Sequence, residues 1–172
     1  MRNSRRWKSF ATTWNGASFY LLPQWTPAPD LELYTDSAGT IGFGVYYRGR
    51  WFNGKWSHQQ LTNSIQWKLY PIVVAALVWG SEWHRRKVMF RSDNQAVVEC
   101  IRSGTSHCPH MMILLWNLFL IAARGNFSVS VTHIPGACNE IADTLSRFHM
   151  QAFRNLAPTA APHATPLPAS LP

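Results

Sequence analysis

Three aspartates sit at the ends of patterned segments. Asp36 closes the alternating run Leu31-Glu-Leu-Tyr-Thr-Asp36, Asp93 closes a run that begins at Lys87, and Asp143 lies one turn into a final helical stretch. Carboxylates brought to one point repel each other unless a cation sits between them. Hard oxygen ligands of this kind suit Mg²⁺ or Mn²⁺. Two such ions about 4 Å apart can activate a water and stabilise the leaving oxygen in phosphodiester hydrolysis. Each acid also has a plainer explanation. Asp93 before Asn94 can cap a helix, Asp36 before Ser-Ala-Gly can form a turn, and Asp143 can be an ordinary surface residue. Singly, the plainer explanation is favoured. Three acids at element ends in one topology favour a shared site.

The elements that would position them follow from periodicity. After the first strand, Gly42 to Tyr47 and Arg50 to Gly54 read as a hairpin around Arg48-Gly49. Ile65, Leu69, Ile72/Val73, Ala76, Gly80 and Trp83 recur at helical spacing. Pro71 belongs in a first helical turn, so this helix is expected to start near Trp67 or later. Lys87 to Asp93 reads as a fourth strand and Asn94 to Arg102 as a short helix stopped by Gly104. Pro109 opens a longer apolar helix to about Arg124. Phe127, Val129, Val131 and His133 alternate as a fifth strand, and Asn139 to Phe148 closes as a helix. The order βββαβααβα predicts an α/β domain with a mixed five-stranded sheet and helices on both faces. In such a sheet the first and fourth strands are neighbours, which would bring Asp36 and Asp93 to one edge with Asp143 above them.

The chain has 172 residues, 47% of them hydrophobic, enough for one domain with a core and too many for a disordered chain. Residues 1–29 lack a period and read as a basic arm or linker, residues 30–150 as the folded domain, and residues 151–172 as a Pro/Ala-rich disordered tail. The longest apolar run, Ile72 to Trp79, is too short to span a bilayer, and no apolar stretch follows the basic N-terminus as in a signal peptide. No membrane partner is expected. The net charge is +8, yet all eight acids lie between Asp30 and Met150, while Arg2, Arg5, Arg6, Lys8 and Arg154 fall outside that segment. The imbalance points to a polyanion such as nucleic acid. Three cysteines cannot all pair, which suits an intracellular, reducing compartment. Cys100, His107, Cys108 and His110 lack the paired spacing of a zinc site. Most of the nine tryptophans should be core, with one or two available to line the groove of a duplex.

Several motifs together carry a resemblance. Tyr34-Thr-Asp-Ser-Ala-Gly39, Ser92-Asp-Asn-Gln-Ala-Val97 and His133-Ile-Pro-Gly-Ala-Cys-Asn-Glu-Ile-Ala-Asp-Thr-Leu-Ser-Arg147 resemble the ribonuclease H domain of retroelement polyproteins. Ser64 to Gly80, Ser103 to Met111 and Ala142 to Phe148 look most like DIRS-type retrotransposons, which carry a tyrosine recombinase, and Trp14 to Phe19 looks like the segment joining reverse transcriptase to ribonuclease H. The resemblance covers roughly residues 10–157. It implies a ribonuclease H-like fold, once part of a larger reverse transcriptase polyprotein, that cleaves the RNA strand of an RNA–DNA hybrid with two Mg²⁺ (or Mn²⁺) ions. Asp36, Asp93 and Asp143 match three of the family's four acids and would be catalytic metal ligands. His133 matches a histidine linked to product release or proton shuttling. Asn94, Gln95 and Asn139 would contact nucleic acid.

The chain departs from the family at the remaining acid, a glutamate on the first long helix, three residues before its proline. Counting back from Pro71 lands on Lys68, and counting forward from Ile65-Gln-Trp leaves a residue missing after Lys68. Either way no carboxylate stands there. Exchanging a negative for a positive charge about 4 Å from another charge is worth up to roughly 4 kcal/mol per unit at an effective dielectric near 20. Fold and hybrid binding are therefore expected to survive better than cleavage. Three readings compete: a hybrid-specific ribonuclease with a damaged metal site, a catalytically inactive nucleic-acid-binding module of the same fold, and an integrase-like strand transferase. The spacing of His133 and Asp143 argues against the third.

Overall fold

The structure, a computed structural model, describes residues 8, 11–12, 25–26, 33–56, 64–169 and 171. The arm expected over residues 1–29 lies almost wholly outside the described residues, as does the Trp14 to Phe19 segment. The strands are β1 (Trp25–Thr26), β2 (Leu33–Ala38), β3 (Gly42–Tyr47), β4 (Arg50–Lys55), β5 (Lys87–Ser92) and β6 (Ser128–His133). The helices are α1 (Ser64–Trp79), α2 (Gln95–Ser103), α3 (Pro109–Gly125), α4 (Glu140–Ser146) and α5 (Met150–Leu156).

The five full-length strands lie side by side in the order β4, β3, β2, β5, β6. The first three run antiparallel, and β5 lies parallel to both β2 and β6. The short β1 pairs with the start of β5, in line with β2. This is the mixed α/β sheet that the element order predicts.

Local chemistry explains the joints. Arg48 and Gly49 both take positive φ, 49° and 79°, in the two-residue turn between β3 and β4, the geometry whose twist matches paired strands. Asn94 accepts a hydrogen bond from the Val97 amide at 3.0 Å and starts α2, and Gly104, left-handed at φ 69°, ends it. Pro109 occupies the first turn of α3, where no N–H is missed.

Alternation along the strands sends side chains to two cores. Phe43, Val45, Tyr47 and Phe52 join α1, α2 and α3 through Leu69, Val73, Ala76, Trp79, Val97 and Leu118. Tyr46 and Trp51 face the other way and meet Leu145 of α4 and Phe153 of α5. Trp51, Trp56, Trp79 and Trp83 are all buried, so they serve packing. No described helix is long and apolar enough to cross a membrane.

Two expectations need correction. Helix α1 begins at Ser64, a full two turns before Pro71. An interior proline forfeits one helical hydrogen bond and crowds the preceding turn, costing about 3 kcal/mol. Here Leu69 and the whole stretch Ile72 to Ala76 are buried around it. Fully burying side chains of this size is worth about 1.5–3 kcal/mol each, so packing outweighs propensity.

The second correction concerns residues 151–172. Met150–Leu156 is a helix, and the chain beyond it docks along β4, the outer strand of the sheet. The Ala161 amide donates to Gly49 O and the Thr165 amide to Trp51 O, each at 2.7 Å. The Trp51 indole donates to Ala161 O at 2.7 Å. Arg154 donates to the carbonyls of Ala160, Ala161 and Pro162 while lying over the Trp51 ring. Ala157 and Ala160 are buried, and Leu167 and Leu171 pack against the larger core. Composition shows that such a segment cannot build a core of its own. It does not show that a strand edge and an arginine will supply its partners.

Candidate nucleic-acid interface

The site grows from two parallel strands. Tyr34 of β2 is level with Arg91 of β5, and the Arg91 guanidinium stacks 4.8 Å from the Tyr34 ring centre and donates to its hydroxyl. Two residues further along each strand come Asp36 and Asp93, so matching register brings the two carboxylates to one end of the sheet. Asp36 is 4% exposed. A carboxylate buried that deeply needs partners for its charge.

Lys68 supplies the first. Its Nζ lies 2.8 Å from Asp36 Oδ1 and 3.9 Å from Asp93 Oδ1. The first contact is a charge-assisted hydrogen bond, and the second is an ion pair beyond hydrogen-bond reach. Ser146 supplies the second partner, its hydroxyl 2.9 Å from Asp36 Oδ2. Both oxygens of Asp36 are thus engaged by protein donors.

Ser146 can reach because α4 lies almost in contact with β3. Gly44 is level with Asp36 across the antiparallel pair. A β-carbon on Gly44 would stand 2.4 Å from Leu145 Cβ and 2.6 Å from the Ser146 amide nitrogen. The absence of a side chain at position 44 therefore sets the height of α4 above the sheet.

Asp143 takes a different partner. Its Oδ1 accepts from Arg147 Nε at 2.8 Å, one helical turn on, and this hydrogen bond raises the Arg147 pKa above its ordinary value. Three carboxylates against two cations leave one net negative charge. Among the described residues no group of three His, Cys, Asp or Glu side chains is arranged to hold a metal ion. The pair of Mg²⁺ or Mn²⁺ ions expected at Asp36, Asp93 and Asp143 does not fit this arrangement, because the Lys68 ammonium stands where a cation would join Asp36 to Asp93.

The other candidates fall as follows. His133 is exposed at the end of β6 and level with Ser92, the residue before Asp93. Asn94 is the cap of α2, and Gln95 is exposed on its first turn. Asn139 departs from expectation. It is 1% exposed and donates to Thr35 O at 3.1 Å, so it ties the loop before α4 to β2 and offers little to a ligand. Ser146, Gly44 and Arg147 were not among the candidates. Ser146 had a signal, since it follows Asp143 by three residues and shares its helical face. Gly44 had none without the register.

Comparison with known proteins agrees with this topology. A family described as reverse transcriptase-like matches residues 73–149, a span that holds Asp93, His133 and Asp143 and begins after Lys68. No curated protein matches the chain. Among solved structures, RNase H1 from the halophilic archaeon Halobacterium salinarum NRC-1 superposes with a TM-score of 0.53 at 16% identity, over 69% of this chain and 94% of that one. The N-terminal RNase H domain of a Mycobacterium tuberculosis protein, solved as a fusion with maltose-binding protein, gives 0.49 at 15% identity, over 66% and 92%. The chain is similar in fold to the Halobacterium salinarum RNase H1, and with its strand order and flanking helices it is an α/β domain of the ribonuclease H-like fold.

Proposed function

We propose that this domain binds nucleic acid, with an RNA–DNA hybrid as its ligand, and that it has lost most or all of the two-metal hydrolysis of the RNA strand. The observation that carries the reading is the position of Lys68 Nζ, 2.8 Å from Asp36 Oδ1 and 3.9 Å from Asp93 Oδ1. A lysine in that place competes with any metal ion for the same carboxylates, and ions that are mis-set lose rate steeply because positioning governs it. What supports ligand binding is separate: the fold, the basic balance of +8 and the exposed Gln95 and His133 beside Asp93. An origin in a retroelement polyprotein belongs to the same reading, and the reverse transcriptase-like match is in keeping with it. A DIRS-type origin rests on the sequence motifs alone.

The test is a labelled RNA–DNA hybrid presented with Mg²⁺ and, separately, with Mn²⁺. Binding that weakens steeply with salt, without turnover of the RNA strand, is the expected result. Efficient cleavage in either metal would overturn the loss of hydrolysis, and absence of binding at low salt would overturn the reading itself.

A further inference from the structure

We infer that Lys68 is a phosphate-binding group, and that this domain engages the backbone of its nucleic acid through the Lys68 ammonium without a divalent metal. The inference rests on the nucleic-acid reading and names the contact that would carry it.

The geometry of the ammonium is the starting point. An ammonium has three N–H donors. One goes to Asp36 Oδ1 at 2.8 Å. Asp93 Oδ1, at 3.9 Å, is too far to accept a second and has no hydrogen-bond partner of its own. Among the described residues, then, Lys68 has one hydrogen-bond acceptor for three donors. Its side chain is 26% exposed while that of Asp36 is 3% exposed, so Lys68 is the member of the pair that solvent can reach.

Charge order gives the second argument. In a metal-dependent phosphodiesterase site, cations stand between the protein carboxylates and the phosphate oxygens. A row of carboxylates alone would repel the polyanion. Here a cation built into the chain already stands against the buried Asp36, while Asp93 and Asp143 keep side chains 29% and 44% exposed. With Arg147 on Asp143, the cluster keeps one net negative charge, against four for a site of four bare carboxylates. A phosphodiester oxygen that reaches the Lys68 ammonium forms its contact with no ion to be recruited. A lysine is a compact point-charge donor to phosphate. It positions a backbone and carries no sequence information.

The test uses the full chain and a fluorescein-labelled RNA–DNA hybrid in EDTA across a salt series. The parent should bind equally well in EDTA and in Mg²⁺. The paired substitution D36N/K68Q removes one charge of each sign, so the net charge of the protein is unchanged. It also avoids the buried, unpaired carboxylate that K68Q alone would leave. This variant should bind more weakly by about tenfold, and the slope of log affinity against log salt should shrink by about one, the value for one phosphate contact. K68R keeps the charge and should retain the slope. Thermal melts confirm that each protein is folded. If D36N/K68Q is folded and binds with the parent's affinity and slope, Lys68 does not contact phosphate. If the parent binds only when Mg²⁺ or Mn²⁺ is added, the metal-free contact is likewise overturned. If the parent binds in neither condition, the nucleic-acid reading fails and the inference falls with it.

Discussion

The ammonium of Lys68 lies 2.8 Å from Asp36 Oδ1, and this one contact joins the second turn of α1 to the interior of β2. It follows that Lys68→Glu should take the cluster from one net negative charge to three. Without metal the variant should melt below the parent, since like charges at close range repel. Added Mg²⁺ or Mn²⁺ should raise its melting temperature while leaving that of the parent unchanged. Metal-dependent hybrid cleavage should also rise by at least about tenfold, the factor that ~1.4 kcal/mol of barrier commands. A variant indifferent to both metals in the melt would show that the carboxylates are not poised around a cation.

Gly44 allows α4 to approach the sheet, and Gly44→Ala tests that approach. The added methyl group would come within 2.4 Å of Leu145 Cβ. Overpacking of this kind costs about 1–3 kcal/mol, read by denaturant unfolding. If α4 lifts, Ser146 Oγ also leaves Asp36 Oδ2, so hybrid binding should change along with stability. A stability within ~0.3 kcal/mol of the parent would mean that α4 shifts at no cost.

Arg154 holds the end of the chain against the hairpin, and Arg154→Ala should release it. Three carbonyls, those of Ala160, Ala161 and Pro162, lose a charged donor. Hydrogen bonds to charged groups are worth about 1.5–3 kcal/mol each, and part of the Arg154 side chain is exposed to water. A loss of about 2 kcal/mol is expected, with faster amide exchange at Ala161 and Thr165. Unchanged exchange at those two amides would show that the segment docks without the arginine.

Arg50 and Glu82 form a two-pronged pair, each N–O distance 2.7 Å, and Arg50 also lies over the Tyr47 and Trp79 rings. The hydrogen bond from Arg50 depresses the Glu82 pKa. A depressed carboxyl contributes stability that is fully present above its unfolded value, about 4.3, and is lost as pH falls through the folded value. Glu82 is 44% exposed, so solvent screening keeps the pair within about 1 kcal/mol. Glu82→Gln should therefore be slightly less stable than the parent at pH 7, and the two should converge in acid. A constant gap across that range would remove the ion pair as its cause.

Much of the frame was legible because it depends on local rules. Two-residue alternation marked β2, β5 and β6, Arg48-Gly49 marked the hairpin, and Asn94, Gly104 and Pro109 marked helix ends. Asp93 follows the end of β5, as expected, whereas Asp36 was read as the end of its strand and lies inside β2, which runs on to Ala38. What stayed hidden depends on tertiary contacts. The sequence shows the charge of Lys68 but not the direction of its side chain. Pro71 misplaced the start of α1 because the burial that offsets an interior proline comes from other elements. Asn139 resembled a ligand contact until the loop before α4 turned it inward. Gly44 and Ser146 gain their roles only once β3 is paired in register and α4 lies on it. The docked segment beyond Leu156 was invisible because its partners lie in the hairpin, where Trp51 precedes Ala161 by 110 residues.

That last separation governs the order in which the molecule is made. Trp51 and Gly49 emerge from a ribosome long before Ala161 and Thr165 exist. At about 5–20 residues per second, the outer rim of β4 waits on the order of 10 s for its cover. During that interval a nascent chain presents unpaired carbonyls and the Trp51 indole to its surroundings, the kind of rim that recruits strands from neighbouring chains. Docking of Ala161 and Thr165 is then what ends the exposure, so the time taken to translate from β4 to Thr165 sets how long each new copy remains open to wrong pairing.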